Sequence, residues 1–135
     1  MSEHLVTEIT QKAIISDNNK IILTRDIDDP NWELPGGRLH NDEKPADGLE
    51  REINEEIGLK VAVKSVFATD VATTPKGETR FMVVYICDFI NNLKEIKLKE
   101  DEIAEYKWVG KDDWQRLSLY SEFVPVLEEY FSKTQ

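Results

Sequence analysis

The segment GGRLHNDEKPADGLEREINEEIGL, residues Gly36 to Leu59, combines the clearest helix signal in the chain with an unusual concentration of charge. Proline suits the first turn of a helix and glycine its carboxyl end, so the sequence predicts a helix that begins at Pro45 and stops at Gly58. Its apolar residues recur at the spacing of one helical face, which is expected to pack on a sheet. That face comprises Ala46, Leu49, Ile53 and Ile57.

The same helix carries four acidic residues between Glu50 and Glu56. Glu52, Glu55 and Glu56 share one patch, because residues three and four positions apart are neighbours on a helix surface. Like charges at these spacings destabilise a helix, and acids are also unfavourable near its carboxyl end. A hard divalent cation such as Mg²⁺ removes the conflict by binding the carboxylate oxygens. The alternative is a solvated acidic face partly paired with basic neighbours, and the helix alone does not decide between the two.

Composition and charge narrow the class of protein. The chain has 135 residues, and its 27 acidic against 17 basic side chains give a net charge of -10. This length suits a single domain with a real core. An acidic surface repels phosphates, so nucleic acid is not expected as a partner, and a phosphate ligand implies a cation. Cys87 is the only cysteine, and the longest apolar run, Phe81 to Cys87, is too short to span a bilayer, so we expect a cytoplasmic protein with no membrane partner.

Alternating apolar patterns and turn residues predict the remaining elements. Turn chemistry in DNNK and TTPKGE predicts two hairpins, and DDPNWELPGG is predicted as a loop. The predicted strands are Thr7 to Ser16, Ile21 to Arg25, Arg38 with Leu39, Val61 to Val71, Thr79 to Asp88 and Glu105 to Val109. A second helix is predicted from Glu122 to Lys133. The strands and helices do not alternate regularly, which indicates a mixed sheet sandwiched by helices.

The acidic helix is part of a longer pattern, G-x5-E-x7-R-E-U-x-E-E-x-G-U with U an aliphatic residue, which the chain matches at nine positions over 23 residues. The matching residues are Gly37, Glu43, Arg51, Glu52, Ile53, Glu55, Glu56, Gly58 and Leu59. This pattern is the Nudix box, and the sequence resembles a small MutT-like Nudix hydrolase. WELPGG before the box and EIAEYKWV after it are also similar to that family. The resemblance implies one domain over residues 1–135 with the box at 37–59, of α/β (α+β) class: an α/β/α sandwich with a mixed β-sheet and a loop-helix-loop catalytic motif.

The resemblance also implies a reaction, in which water hydrolyses a pyrophosphate bond of a nucleoside diphosphate derivative with the help of Mg²⁺ or Mn²⁺. The implied metal ligands are the Gly37 carbonyl, Glu52, Glu55, Glu56 and, from a later loop, Glu102. Glu52 is the first choice for the general base, because a carboxylate beside a metal-bound water can accept its proton. Glu56, Arg51 and Glu102 complete the predicted catalytic group. Arg51 is expected to pair with a box acid such as Glu43 and orient the helix, and a plain solvated loop is the alternative for Glu102.

Four residues outside the acidic patch are candidates for holding the substrate. Arg25 and Arg38 suit phosphate oxygens through fork-like hydrogen bonds, or are ordinary surface arginines. Trp32 and Phe81 are candidates for stacking on a base, although aromatic residues in or beside strands are more often part of the core.

The sequence leaves the particular substrate open. Members that read oxidised guanine often carry an asparagine before the last helix, and the corresponding stretch here, YSEFVPVL, has none. Pro75 is placed as in many ADP-ribose hydrolases, but it is also ordinary turn chemistry. The leading interpretation is a pyrophosphohydrolase for a (d)NTP or similar small nucleotide, with an ADP-ribose or nucleotide-sugar pyrophosphatase as the alternative. From another class, a non-catalytic nucleotide-sensing module is disfavoured because every box carboxylate is present. Homodimer formation is left open.

Overall fold

The computed structural model describes residues 3–133, and within them seven strands form one mixed sheet. The strands are β1 Glu8–Asp17, β2 Lys20–Asp26, β3 Trp32–Glu33, β4 Gly36–Arg38, β5 Val61–Thr73, β6 Thr79–Phe89 and β7 Ile103–Val109. The two α-helices are α1 Pro45–Ile57 and α2 Phe123–Lys133, and short 3-10 helices lie at Leu93–Glu95 and Trp114–Arg116.

The long central strand β1 connects the parts of the sheet. The strand order is β3-β2-β1-β6-β5, with β4 also paired to β1 and β7 to β2. β1 and β6 run parallel, whereas the other pairs are antiparallel, so the predicted mixed sheet is confirmed. The predicted DNNK hairpin joins β1 to β2, and its turn residues Asn18 and Asn19 have φ values of 53° and 65°, a region that asparagine tolerates well. The TTPKGE turn joins β5 to β6 in the second predicted hairpin.

Each face of the sheet is covered by one helix and has its own core. The core between α1 and the sheet contains nine buried residues: Ala13, Ile15, Ile22, Leu49, Ile53, Ile57, Leu59, Val61 and Cys87. On the side of α2 the buried residues include Ile14, Leu23, Leu34, Met82, Val84, Phe123 and Leu127. Consecutive residues of β1, such as Ala13, Ile14 and Ile15, pack in the two cores alternately, because successive strand residues point to opposite faces. The α/β/α sandwich expected from the sequence is therefore confirmed.

Helix α1 has the predicted bounds. It begins at Pro45, ends at Ile57, and is closed by Gly58, whose φ of 68° is left-handed and whose N–H donates to the Asn54 carbonyl at 2.9 Å. Leu49, Ile53 and Ile57 are fully buried, as the apolar stripe requires, while Ala46 at its start is only half-buried.

Replacing Ile53 by aspartate is expected to unfold the domain or lower its melting temperature sharply. The side chain is 0% exposed, so the substitution removes apolar burial and places a lone carboxylate in a dry core, at a loss on the order of 4 kcal/mol. Asn54→Asp, at the next and exposed position, adds the same charge and should change stability by less than about 0.5 kcal/mol. Thermal denaturation in metal-free buffer compares the two, and equal melting temperatures would contradict the packing of α1.

The segment predicted as a loop before the box contains two short strands, which is a correction. β3 occupies Trp32–Glu33, and the short strand expected at Arg38 and Leu39 instead spans Gly36–Arg38, leaving Leu39 outside it. Gly36 pairs with Lys12 of β1 at φ 143°, and a methyl group there would lie 2.0 Å from the Gln11 carbonyl oxygen. Only glycine permits this approach, and turn-like composition in the sequence hides the pairing.

Neither described helix, in residues 3–133, is long and apolar enough to cross a membrane.

Candidate active site

The acidic patch of α1 forms as predicted, but its three carboxylates differ in exposure. Glu56 is 9% exposed and the Glu52 side chain 17%, whereas the Glu55 side chain is 51% exposed. Glu52 and Glu56, four residues apart on α1, lie close enough for a hydrogen bond when one of them is protonated. Burial raises the pKa of Glu56 well above its usual range despite the opposing effect of nearby Lys12, and the hydrogen bond and charge of Glu52 raise it further. Glu52 and Glu56 are thus held together at a place where neither water nor the nearby Lys12 ammonium fully offsets both negative charges.

Arg51 connects the helix to the preceding loop. Its Nε lies 3.0 Å from Glu43 Oε2 and its second terminal nitrogen 2.8 Å from Glu43 Oε1, a bidentate pair that confirms the predicted partner. The same guanidinium lies 3.2 Å from Glu52 and 3.2 Å from Glu55. The Arg51 hydrogen bond, with one from the backbone of His40, lowers the pKa of Glu43 to about 2. Arg51 therefore holds the loop and two patch carboxylates in one arrangement.

Gly37 provides room for the Glu52 carboxylate. A methyl group at residue 37 would lie 2.7 Å from Glu52 Oε2, inside van der Waals contact. The lack of a side chain thus lets the β4 backbone approach the carboxylate, which is the arrangement expected if a main-chain carbonyl and a carboxylate bind the same cation.

The loop that contains Glu102 docks against the carboxyl end of α1. Lys97 N–H donates to the Ile57 carbonyl and Lys99 N–H to the Glu56 carbonyl, each at 2.8 Å, so this loop satisfies carbonyls that the helix leaves open. The Glu102 side chain is 50% exposed and pairs with Lys99 at 2.8 Å. The structure thus brings Glu102 to the border of the acidic patch without direct contact with Glu52 or Glu56.

A cleft of about 560 Å³ opens beside the patch, between the sheet and the start of α2. Its lining includes Thr10, Lys12, Asp26, Glu33, Arg38, Pro75, Arg80, Met82, Tyr120, Glu122 and Phe123. Lys12 Nζ pairs with Glu33 Oε1 at 2.5 Å in the cleft, and Lys12 is close enough to Glu56 to interact with its charge. The Tyr120 hydroxyl donates to Asp29, and the Tyr120 N–H donates to the Trp32 carbonyl at 3.2 Å, so the opposite wall is fixed to the sheet.

Arg25 and Trp32, both predicted to bind substrate, are engaged with protein groups. Arg25 donates through Nε and a terminal nitrogen to Glu105 at 3.1 and 2.9 Å, and through its other terminal nitrogen to the Asp29 carbonyl at 2.9 Å. Trp32 is 5% exposed within the core, and its ring centre lies 5.9 Å from the Arg25 guanidinium and 5.3 Å from the Lys107 ammonium. These contacts favour the structural alternative for Trp32, and its role in stacking stays a prediction.

Arg38 and Phe81 lie on different faces of the sheet. Arg38 lines the cleft, with a side chain 60% exposed and paired to Glu8 at 3.1 Å, so it is placed to meet a ligand. Met82 also lines the cleft, and its neighbour Phe81 points to the other face, because strand residues alternate. Phe81 is half-buried beside Ile9, its partner in the parallel pair. This placement gives the predicted stacking role of Phe81 no support.

Several cleft residues were missed by reasoning from the sequence, notably Lys12, Asp26, Glu33 and Tyr120. One signal was available: Lys12 stands inside the apolar run of β1, where a buried lysine is rare unless paired. Asp26 is also in a special environment, since burial, with the charge of Glu33, raises its pKa. No local pattern marked Glu33 as the partner of Lys12, because the two are 21 residues apart.

The donor set fits a hard divalent cation. Carboxylate oxygens and a main-chain carbonyl are the ligands that Mg²⁺ and Mn²⁺ prefer. In residues 3–133 no three His, Cys, Asp or Glu side chains already converge in metal-binding geometry, and Arg51 pairs with both Glu52 and Glu55 at 3.2 Å. Binding a cation would therefore require these carboxylates to exchange partners.

The fold is an α/β/α sandwich in which a glutamate-rich helix lies beside a cleft. This arrangement defines a class of site in which carboxylates bind a metal ion and the metal ion binds a phosphate. Residues 8–130 match the model of the NUDIX domain, and the chain belongs to this family. Nudix hydrolases generally need a divalent metal ion and act on small nucleotides.

Individual relatives agree with the family assignment. Nucleoside triphosphatase NudI of Escherichia coli is 30% identical over 90 residues, a match that covers 61% of this chain and 63% of NudI, less than two thirds of that protein's length. A UDP-X diphosphatase structure superposes with a TM-score of 0.80 at 21% identity, covering 99% of this chain and 67% of the other. An ADP-ribose pyrophosphatase from Streptococcus suis superposes with a TM-score of 0.73 at 24% identity, covering 96% and 95%. At these identities the structural likeness shows the fold.

Proposed function

We propose that this protein is an enzyme that hydrolyses a pyrophosphate bond in a nucleoside diphosphate derivative, such as a (d)NTP. The observation that carries the proposal is the pair Glu52 and Glu56 on α1, where Glu56 interacts with Lys12 of a cleft of about 560 Å³, a volume within the range of small-molecule sites. Repulsion between two buried carboxylates destabilises the fold when no cation is bound, but it favours the binding of a cation. The same residues support Mg²⁺ or Mn²⁺ as the cofactor.

The residues that would hold the cation are Glu52, Glu55, Glu56 and the Gly37 carbonyl, with Glu102 at the border. When bound, the metal would lower the pKa of a coordinated water and offset charge on phosphate oxygens. Glu52 is the proposed general base, since its carboxylate lies against the Gly37 backbone and is largely shielded from solvent. Arg51 acts as a positioning residue through Glu43, Glu52 and Glu55.

Arg38 at the cleft is the better placed of the two predicted phosphate-binding arginines, because Arg25 already makes three hydrogen bonds, two to Glu105 and one to the Asp29 carbonyl. The proposed substrate class of small nucleotides also includes the alternatives, nucleotide sugars and ADP-ribose, which agrees with the names of the structural relatives. We further propose that residues 1–135 act as one domain in the cytoplasm, without nucleic acid as a partner.

A substrate panel tests the proposal. Wild-type protein is incubated with nucleoside triphosphates, nucleoside diphosphate sugars and ADP-ribose, with and without Mg²⁺, and released nucleoside monophosphate, pyrophosphate and phosphate are measured. We expect metal-dependent release of nucleoside monophosphate from at least one class. Glu52→Gln protein purified in parallel controls for contaminating phosphatases, and its activity should be lower by at least ~100-fold. If the protein bound a nucleotide but hydrolysed none with any metal ion, the proposal of an enzyme would be overturned in favour of a sensing module.

A further inference from the structure

Two arginines in the cleft share one carboxylate. Arg38 Nε lies 3.1 Å and Arg80 Nη1 2.5 Å from the same atom, Glu8 Oε2. The three residues come from neighbouring strands, since Glu8 of β1 is in register with Arg80 of β6, and β4, which carries Arg38, pairs with the other edge of β1. Two guanidiniums, which are always charged, are thus brought together around a single anionic group.

Both arginines have hydrogen-bond donors to spare. A guanidinium carries five N–H donors, and within residues 3–133 the only hydrogen bond from either one runs from Arg80 to Glu8. Both side chains line the cleft of about 560 Å³. The unused donors are therefore available to a ligand in that cleft.

The charged side chains of the cleft fall into two groups. Those that line it are Lys12, Arg38, Arg80, Asp26, Glu33 and Glu122. Lys12 pairs with Glu33 and interacts with Asp26, so these charges are largely balanced among themselves. Glu8 lies four residues before Lys12 on β1, a separation of about 13 Å in a strand, so the two arginines form a different part of the cleft.

The two arginines are balanced only by exposed acids. Besides Glu8, the nearest carboxylate is that of Glu78, whose Oε2 lies 3.6 Å from Arg80 Nη2 and whose side chain is 59% exposed. If the Glu8 side chain turns away into solvent, two guanidiniums face the cleft with Glu78 as their remaining counterion. That local excess of positive charge favours an anion, although the whole chain has a net charge of -10.

Glu8 is a counterion that a ligand can replace. The Glu8 side chain is 54% exposed, whereas that of Arg80 is only 18% exposed and is therefore held by its surroundings. Exposed ion pairs contribute little to stability, because water screens them and long side chains lose freedom in forming them. A phosphate group offers more negative charge and more acceptor oxygens than one carboxylate, and its geometry matches the guanidinium fork.

We propose that Arg80 and Arg38 form a phosphate subsite, which Glu8 fills in the absence of ligand and leaves when a phosphate group binds. This subsite is separate from the patch of Glu52 and Glu56, so it takes a phosphate other than the one that is attacked. The inference rests on the proposed function for its substrate class, and it narrows that class to nucleotides that carry a further phosphate group.

The first test is a titration of metal-free protein with inorganic phosphate, in which the Nε–H resonances of the arginines are followed by NMR. We expect the Arg38 and Arg80 resonances to shift and to saturate. Glu8→Gln keeps the length of the side chain but removes the competing charge, so it should bind phosphate about two- to fivefold more tightly, the factor that corresponds to an exposed ion pair. Glu128→Gln, exposed on α2, changes the net charge equally and should bind as wild type does.

The second test measures kcat/KM for substrate pairs that differ by one phosphate: ATP with ADP, and ADP-ribose with and without a 2′-phosphate. Wild-type protein should favour the phosphorylated member of at least one pair by about tenfold or more, as expected for hydrogen bonds to a charged group. The pair that shows the preference places the group on the phosphate chain or on a ribose.

Arg80→Met should remove this preference and leave the other member of the pair near its wild-type kcat/KM. Methionine retains the apolar stem of the side chain, so the fold should be kept. Arg116→Met, exposed on the 3-10 helix before α2, is the matched control and should keep the preference.

The inference is overturned if inorganic phosphate leaves the Arg38 and Arg80 resonances unchanged, or if Glu8→Gln weakens phosphate binding. It is also overturned if an active wild-type protein prefers neither phosphorylated member, or if Arg80→Met lowers kcat/KM equally for both members, which would assign Arg80 a structural role. Phosphate binding at the arginines without hydrolysis of any substrate would reject the enzymatic proposal and support this inference.

Discussion

Replacing Glu52 by glutamine is expected to lower kcat by at least ~100-fold, the effect typical of losing a general base. Glutamine keeps the size of the side chain and can still bond Glu56, but it removes the charge that binds metal and accepts a proton from water. The fold should survive. In metal-free buffer above the Glu56 pKa of about 8, where both carboxylates are ionised, the variant should melt slightly higher than wild type, because the substitution removes their repulsion. Steady-state kinetics at saturating Mg²⁺ and thermal denaturation measure the two effects.

Glu50→Gln is the matched control, two residues away on a different side of α1. Glu50 accepts a hydrogen bond from the Val63 N–H at 3.0 Å, and a glutamine oxygen can accept the same bond. Its rate should therefore stay near wild type. Equal losses in the two variants, or a nearly normal rate for Glu52→Gln, would move the base elsewhere, with Glu102 at the border of the patch as the next candidate.

Excess chelator is expected to abolish turnover, and Mg²⁺ or Mn²⁺ to restore it. The physical reason is that Glu52 and Glu56 share a partly buried site, in which their charges need a cation to hold both ionised. Chelation should leave the protein folded, because Arg51 ties Glu43, Glu52 and Glu55 together without a metal. Circular dichroism in chelator distinguishes loss of metal from loss of structure, and full turnover in excess chelator would falsify metal dependence.

The sequence by itself determined the acidic helix and much of the sheet. Helix α1 could be predicted from local signals. Its ends are marked by Pro45 and Gly58, and its apolar stripe of Leu49, Ile53 and Ile57 lies within a few helical turns. The hairpin turn at Asn18 and Asn19 is local in the same sense. Helical spacing then predicted that Glu52 and Glu56 lie together, because residues four apart on a helix are adjacent. The pairing of Arg51 with Glu43, eight residues away and before the helix, was implied by the family resemblance.

Only the tertiary structure decided what surrounds that helix. Lys12, Glu33 and Asp26 belong to different strands and meet because of the register of β1 with its neighbours. The start of β4 was hidden because its glycines suggest a turn until Gly36 lies against β1. Only the register shows that Met82, the neighbour of Phe81, faces the cleft, and the stacking role of Phe81 stays a prediction. Register and loop docking depend on contacts between residues far apart in the chain, and local periodicity carries no information about them.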